Sequence, residues 1–220
     1  MFTDTFASFI QEIDETIVSK KDTLTCHEIF ETQERIKGLL GEFAQSKANF
    51  TGFTEMLVYR FLYHHCVPSG AVIHAGKRYD GKRMQAKNSS KVKTQSPDIT
   101  IETAGKIQYL FSIKANPGGA KAELDDVNSP IVKKLLGAID INDTIPVSVQ
   151  DINRIENLYE KQGDFRALTI YYSTPSVENE RMLNKIQIEF PWYNYLVLNN
   201  NHDFLCRQLN FLMSKNEIKK

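Results

Sequence analysis

The sequence predicts an α/β protein with a mixed central β-sheet flanked by helices, and three observations support this fold class. Apolar residues recur every three or four positions near both ends of the chain, which is typical of amphipathic helices. Between these regions lie short segments rich in β-branched and aromatic residues, which favour strands. Several of these strands follow one another without an intervening helix, so the sheet is not a series of regular βαβ units.

Helices are predicted over most of the first 66 residues and again later in the chain. The second predicted helix runs from Glu28 to Phe43, and the third is the segment TEMLVYRFLYHHC, which ends before Pro68. The apolar stripe of the first helix consists of Phe6, Phe9, Ile10, Ile13 and Ile17. Ser129-Pro130 is typical of a cap followed by proline at the first helical position. The later helices are predicted through residues 129–136, 151–161 and 203–214.

Five strands are predicted, and two of them form a hairpin. The five segments are residues 71–74, 98–102, 107–115, 167–173 and 195–198. The second and third strands are joined by a tight turn around Ala104-Gly105. From residue 52 onward the predicted order is therefore helix, strand, strand, strand, helix, strand.

Length and composition indicate one globular domain, with residues 47–220 as its core and residues 1–46 as an N-terminal helical segment. Hydrophobic residues make up 41% of the 220 residues and charged residues 25%. No stretch approaches 18 apolar residues, so we expect no membrane-spanning segment. The three cysteines, Cys26, Cys66 and Cys206, are widely spaced. Their spacing argues against a disulfide framework or a zinc site, and it favours an intracellular, reducing compartment.

Positive charge is concentrated between His74 and Gln95. The whole chain has 27 basic and 27 acidic residues, but this segment has seven basic residues and one acid, Asp80. The basic residues are Lys77, Arg78, Lys82, Arg83, Lys87, Lys91 and Lys93. Such a concentration is a candidate contact for a polyanion such as DNA. A solvated loop could have the same composition, so both interpretations remain open.

The predicted hairpin carries an acid and a lysine in an arrangement that suits phosphodiester hydrolysis. Strand alternation places Leu110, Ser112 and Lys114 on one face of the second strand. Asp98 joins that face only if the register is even, and a three-residue loop over residues 104–106 would place it opposite Ser112. A two-residue loop would turn Asp98 to the other face. The chemistry therefore predicts the three-residue loop.

Pro97-Asp98, a hairpin and then Ser112-Ile113-Lys114 resemble the signature of the PD-(D/E)xK nuclease superfamily, in particular the type II restriction endonucleases. The resemblance covers roughly residues 52–173. It implies a restriction-endonuclease-like core of the order αβββαβ. It also implies a hydrolase of ester bonds that cuts double-stranded DNA at a specific site with Mg²⁺, in the cytoplasm of a prokaryotic cell. A homodimer is expected on a palindromic site, with residues 1–46 contributing to dimerisation or DNA recognition.

The chain departs from the family's pattern at Ser112, where the family usually has an acid. The resemblance to a subgroup with this replacement implies that a later glutamate supplies the second metal ligand. Glu123 is the candidate, with Asp125 and Asp126 as alternatives. Glu55, on the helix before the sheet, is a further candidate because this helix often carries an active-site glutamate in the superfamily. Asp98, Glu123 and Glu55 are thus the predicted Mg²⁺ ligands, and Lys114 and Ser112 complete the predicted catalytic set.

Two other functions remain compatible with the same residues. One is a repair or junction-resolving nuclease that recognises DNA shape. The other is a catalytically inactive nuclease fold that serves as a DNA-binding module, which the serine at position 112 would favour.

Overall fold

The structure is a computed structural model that describes residues 2–41, 51–84 and 92–214. Within these ranges the helices are α1 (Phe2–Ser19), α2 (Cys26–Gly41), α3 (Thr51–His65), α4 (Leu124–Asn128), α5 (Pro130–Leu136), α6 (Val147–Gln162), α7 (Val177–Glu189) and α8 (Leu205–Ser214). The strands are β1 (Ala71–Ala75), β2 (Tyr79–Met84), β3 (Val92–Gln95), β4 (Ile99–Thr103), β5 (Lys106–Lys114), β6 (Gly119–Lys121), β7 (Thr144–Pro146), β8 (Arg166–Tyr171) and β9 (Tyr193–Val197).

The central sheet has five strands in the order β1-β4-β5-β8-β9. The pairs β1–β4 and β4–β5 are antiparallel, whereas β5–β8 and β8–β9 are parallel. The predicted α/β class with a mixed sheet is therefore confirmed. All five predicted strands are present in this sheet, with bounds that differ by one or two residues.

Helices cover both faces of the sheet, and each face has its own hydrophobic core. One core joins α1, α2, α3 and α8 to the sheet through buried residues such as Ile13, Ile29, Phe61, Phe111 and Leu205. The other joins α5, α6 and α7 to the opposite face. The N-terminal helices thus share a core with α3 and the sheet. The predicted boundary between residues 46 and 47 lies outside the described residues.

Two smaller two-stranded sheets lie beside the central sheet, and the sequence predicted neither. Strands β2 and β3 form one and β6 and β7 form the other, both antiparallel. The β2–β3 hairpin occupies much of the basic segment, where the sequence suggested a loop. It packs against α6, and Asp80 of β2 lies 4.0 Å from Lys161 of that helix. Helix α7 was also missed, because only Leu183 and Ile186 are buried among its polar residues.

The turn between β4 and β5 is shorter than predicted, yet it leaves Asp98 on the predicted face. Thr103 pairs with Lys106, so the loop is the two residues Ala104 and Gly105, which have φ values of 51° and 74°. A bulge then inserts one extra residue in β5, where Ile101 pairs with Tyr109 but Glu102 pairs with Ile107. An inserted residue shifts the register by one and restores the even pairing. The predicted three-residue loop is wrong. The bulge, and not the length of the loop, gives the even register that puts Asp98 on the face of Ser112.

A buried ion cluster fixes the start of the β2–β3 hairpin against β4. Glu102 has a side chain that is 7% exposed, and it accepts hydrogen bonds at 2.7 and 2.8 Å from Lys77 Nζ. The Tyr79 hydroxyl donates to the same carboxylate at 2.6 Å. Burial raises the pKa of Glu102, but the hydrogen bonds from Lys77 and Tyr79 outweigh it and hold the pKa below its ordinary value.

Replacing Glu102 with glutamine should lower the free energy of unfolding by about 1–3 kcal/mol, because the buried partner of Lys77 and Tyr79 loses its charge. The stabilisation is present above the ordinary carboxyl pKa and is lost as the pH falls through the lower pKa of the folded state. Urea denaturation at neutral and acidic pH measures both effects, with Glu160→Gln at an exposed position as control. A difference between wild type and Glu102→Gln that did not shrink in acid would contradict this role.

Candidate functional site

Asp98 lies immediately before β4 and faces the end of β5. Its Oδ2 atom accepts a hydrogen bond from the backbone N–H of Ile113 at 2.5 Å and lies 3.4 Å from the Ser112 hydroxyl. Within the part of the chain that the structure describes, Oδ1 receives no hydrogen bond. Asp98 is therefore held by one carboxylate oxygen, and the other can bind a ligand.

Lys114 ends β5 and contacts two carboxylates. Its Nζ atom lies 3.3 Å from Asp98 Oδ2 and 3.5 Å from Asp151 Oδ1. Burial alone would lower the pKa of Lys114, but the charges of Asp151 and Asp98 outweigh it and raise the pKa above its ordinary value. The side chain is thus a firmly protonated ammonium group, 24% exposed, between two acids.

Asp151, on α6, is the acid that the sequence analysis missed. The hydroxyl of Ser112 donates to its Oδ1 at 2.8 Å, and the hydroxyl of Thr169 donates to its Oδ2 at 2.7 Å. Ser112 and Thr169 are register partners on the parallel strands β5 and β8. Both hydroxyls therefore point from the sheet to α6 and fix the buried Asp151 carboxylate. An acid thus lies directly beside Ser112, the position at which the family's pattern has an acid.

A sequence signal for Asp151 existed in the pattern of α6. Val149, Ile152 and Ile155 of this helix are buried against the sheet, and Asp151 lies on the same side of the helix. A carboxylate on a buried face needs hydrogen-bonding partners or a function. From the sequence, this segment is predicted only as a helix, with no role for Asp151.

The charge of Asp151 acts on two buried tyrosines, Tyr171 and Tyr193. Burial raises the pKa of Tyr171, and Tyr193 and Asp151 raise it further. The pKa of Tyr193 is raised by burial and then by the Asp151 charge. Neither phenol ionises in the physiological range, so the surroundings of Asp151 on this side are neutral.

Glu55, on α3, is electrostatically coupled to Asp98 and Lys114. Its pKa is raised first by burial and then by the charge of Asp98, while Lys114 opposes the shift. The predicted association of Glu55 with Asp98 and Lys114 is thus consistent with its position. Two carboxylates whose charges disfavour each other are a donor set that a cation stabilises.

Glu123 contacts Arg154 of α6 and not Asp98 or Lys114. Its Oε1 atom lies 2.9 Å from Arg154 Nη2, and its side chain is 55% exposed. Of the two alternatives, Asp126 is buried and accepts hydrogen bonds from Gln150 and Asn153 of α6, and Asp125 lies in the first turn of α4. Asp126 therefore fixes α4 to α6, and the metal-binding role predicted for Glu123 stays a prediction.

Asp98, Ser112, Lys114 and Asp151 line a cavity of about 180 Å³. Its lining includes Asp98, Ser112, Lys114, Asp151, Arg154 and residues 95–97. The cavity lies between α6 and the face of β5 that carries Leu110, Ser112 and Lys114. The cavity thus joins two acids, a lysine and an arginine in one accessible place.

The predicted DNA-contacting residues fall into three groups. Lys77 is paired with Glu102, whereas Arg78 and Lys82 are exposed. Arg83 and Lys93 lie in β2 and β3, and only their backbone is described. Lys87 and Lys91 lie outside the described residues. Of the exposed residues, Lys82 therefore lies on the hairpin and Arg78 immediately before it, and Gln95, the last residue of the hairpin, lines the cavity.

The predicted Mg²⁺ site has suitable donors but no preformed cage. Within residues 2–41, 51–84 and 92–214 no group of three or more His, Cys, Asp or Glu side chains is arranged to hold a metal ion. Asp98 Oδ1 nevertheless accepts no hydrogen bond from the described residues, Asp151 contacts the same lysine, and the charge of Asp98 contributes to the raised pKa of Glu55. Mg²⁺ is commonly bound through one or two carboxylates together with waters and substrate phosphate. The donors present fit such a site.

Comparison of the chain with protein-family models, with curated proteins and with solved structures finds no match. Across the described ranges, no helix has the length and apolar character needed to cross a membrane.

Proposed function

We propose that the protein is a Mg²⁺-dependent endonuclease that hydrolyses phosphodiester bonds of double-stranded DNA, and that it acts as a type II restriction enzyme. The observation that carries the proposal is the convergence of Asp98, Lys114 and Asp151 on one cavity between β5 and α6. Phosphodiester hydrolysis needs acids near the scissile phosphate and a cation that stabilises the charge developing there.

The order of the elements supports the same proposal. When the β2–β3 hairpin and the segment from β6 to β7, which includes α4 and α5, are treated as additions, the chain from α3 to β8 runs α3, β1, β4, β5, α6, β8. This is the αβββαβ order expected of a restriction-endonuclease-like core. Asp98 immediately precedes the second strand of that order and Lys114 ends the third, which fits the arrangement that the resemblance implies.

In the proposed reaction, Lys114 acts as a fixed positive charge at the scissile phosphate. Its ammonium group has three protons, and its two carboxylate neighbours hold it in place. It would orient the attacking water or donate to the phosphate oxygen on which charge develops. Because burial excludes part of the surrounding water, this charge acts more strongly than it would on the surface.

Asp98 would hold the divalent cation through its free Oδ1, with Asp151 or Glu55 as the second carboxylate. Mg²⁺ bound there would activate water and neutralise charge on phosphorus. Asp151 is the preferred second acid because Ser112, at the position of the family's strand acid, donates directly to it. The chain would thus keep a carboxylate near that position while supplying it from α6.

The basic hairpin and a two-fold assembly complete the proposal. Arg78 and Lys82 are exposed on or before a hairpin whose last strand lines the cavity. Lysines and arginines there would contact the DNA backbone. A homodimer would place two such sites on opposite strands of a palindromic sequence.

Incubation of the protein with supercoiled plasmid DNA and Mg²⁺ tests the function. Discrete fragments that disappear with EDTA are the expected result. Nicking confined to branched or mismatched DNA would replace sequence-specific cutting with a repair function. Binding without cleavage in Mg²⁺ or Mn²⁺ would overturn the enzymatic proposal in favour of a DNA-binding module.

A further inference from the structure

Arg154 is a second cation in the cavity that the catalytic group does not use. It follows Asp151 by three residues on α6, so the two side chains lie on neighbouring turns of the same helix side. It lines the cavity together with Lys114. An arginine and a lysine that line the same cavity favour an anionic ligand that contacts both.

Glu123 is the partner of Arg154 in this structure, and the pair is accessible. The side chains of Arg154 and Glu123 are 41% and 55% exposed, and their charged atoms are 2.9 Å apart. Exposed ion pairs of this kind contribute about 0–1 kcal/mol. A phosphate group, which arginine can bind through two parallel hydrogen bonds, can therefore displace the carboxylate.

The position of Glu123 is fixed although its side chain is exposed. Its backbone N–H donates to the buried Asp126 carboxylate at 2.9 Å, and Asp126 accepts hydrogen bonds from Gln150 and Asn153 on α6. The start of α4 is thus tied to the helix that carries Arg154. This keeps the carboxylate beside the guanidinium group whenever no other anion is bound.

We propose that Arg154 binds a backbone phosphate of the DNA substrate and that Glu123 is a competing internal anion that occupies Arg154 in the absence of DNA. The inference rests on the proposed function, because it identifies the ligand of the cavity as a nucleic acid phosphate. It gives Glu123 a role opposite to that of a metal ligand. Removing its charge strengthens DNA binding only while Arg154 is present, whereas loss of an acid that merely repels phosphate would strengthen binding with or without Arg154.

A double-mutant cycle measures this competition. Fluorescence anisotropy of a dye-labelled 12-base-pair duplex, with EDTA to prevent cleavage and metal binding, gives dissociation constants for wild type, Glu123→Gln, Arg154→Gln and the double variant. We expect Glu123→Gln to bind about threefold more tightly and Arg154→Gln about tenfold more weakly. The slope of log affinity against log salt should fall by about one for Arg154→Gln.

The decisive result is the effect of Glu123→Gln when Arg154 is already glutamine. Competition predicts no further tightening in that background, because the glutamate no longer has a phosphate-binding partner to occupy. Equal tightening in both backgrounds would overturn the proposal and leave Glu123 as a general repulsive charge. Arg207→Gln, an exposed change on α8 at the opposite face of the sheet, is the matched control for losing one positive charge.

The outcomes separate this inference from the proposed function. Plasmid cleavage by wild type together with additive binding effects would overturn only the competition between Glu123 and phosphate. A wild-type protein that binds no duplex at all would overturn both proposals.

Discussion

Replacing Asp98 with asparagine should abolish DNA cleavage while the protein stays folded and binds DNA. Asparagine keeps an oxygen that can accept the hydrogen bond from Ile113 N–H, so the end of β5 is preserved. It removes the negative charge that would hold the divalent cation. Loss of a metal contribution of several kcal/mol lowers the rate on the order of a thousandfold or more. Single-turnover cleavage of plasmid DNA in Mg²⁺ measures this loss.

Two controls make the Asp98→Asn result specific. Asp22→Ala, an exposed change in the turn after α1, should cleave at the wild-type rate. Duplex binding by Asp98→Asn should equal or exceed that of wild type, because the variant lacks an acid that repels phosphate. Cleavage by Asp98→Asn at a near wild-type rate would show that the site has been assigned wrongly.

Replacing Lys114 with alanine should lower the cleavage rate about a hundredfold or more, which is typical for removal of one preorganised group that stabilises transition-state charge. Its ammonium group lies between Asp98 and Asp151, so the variant also leaves two carboxylates without their shared cation. Single-turnover rates at saturating protein separate the chemical step from binding.

Lys133→Ala is the matched control for Lys114→Ala, since Lys133 is an exposed lysine on α5. A Lys114→Ala variant that lost affinity but kept the single-turnover rate would make Lys114 a phosphate-binding residue and not a catalytic one.

The sequence predicted the fold class and the face of β5 that carries Ser112 and Lys114, because both depend on local periodicity. Alternation along β5 places Phe111 and Ile113 in one core and leaves Ser112 and Lys114 on the other face, as predicted. The bulge in β5 was not predictable in the same way. Gln108, the residue that the bulge inserts, is not of a type that marks a bulge in a sequence. The register beyond it depends on how the two strands pack.

Asp151 could not be placed from spacing alone because it meets Ser112 through tertiary structure. The two residues are 39 positions apart, and their hydrogen bond requires α6 to pack across β5 and β8. Glu123 was nearer along the chain and therefore the more obvious candidate. Its side chain instead reaches Arg154, which shows that sequence distance from the lysine is a weak guide to which acid lies near it.

The most direct test of whether the acid has moved from strand to helix is the cleavage rate of a reciprocal exchange. Asp151→Ser alone should cleave at least a hundredfold more slowly than wild type, as expected when a group acting on transition-state charge is lost. Adding Ser112→Asp to this variant places the carboxylate on β5 and the hydroxyl on α6, the reverse of wild type. We predict partial recovery of the cleavage rate. Wild-type cleavage by Asp151→Ser, or a double variant that regains its stability in urea but no activity, would contradict a catalytic role for Asp151.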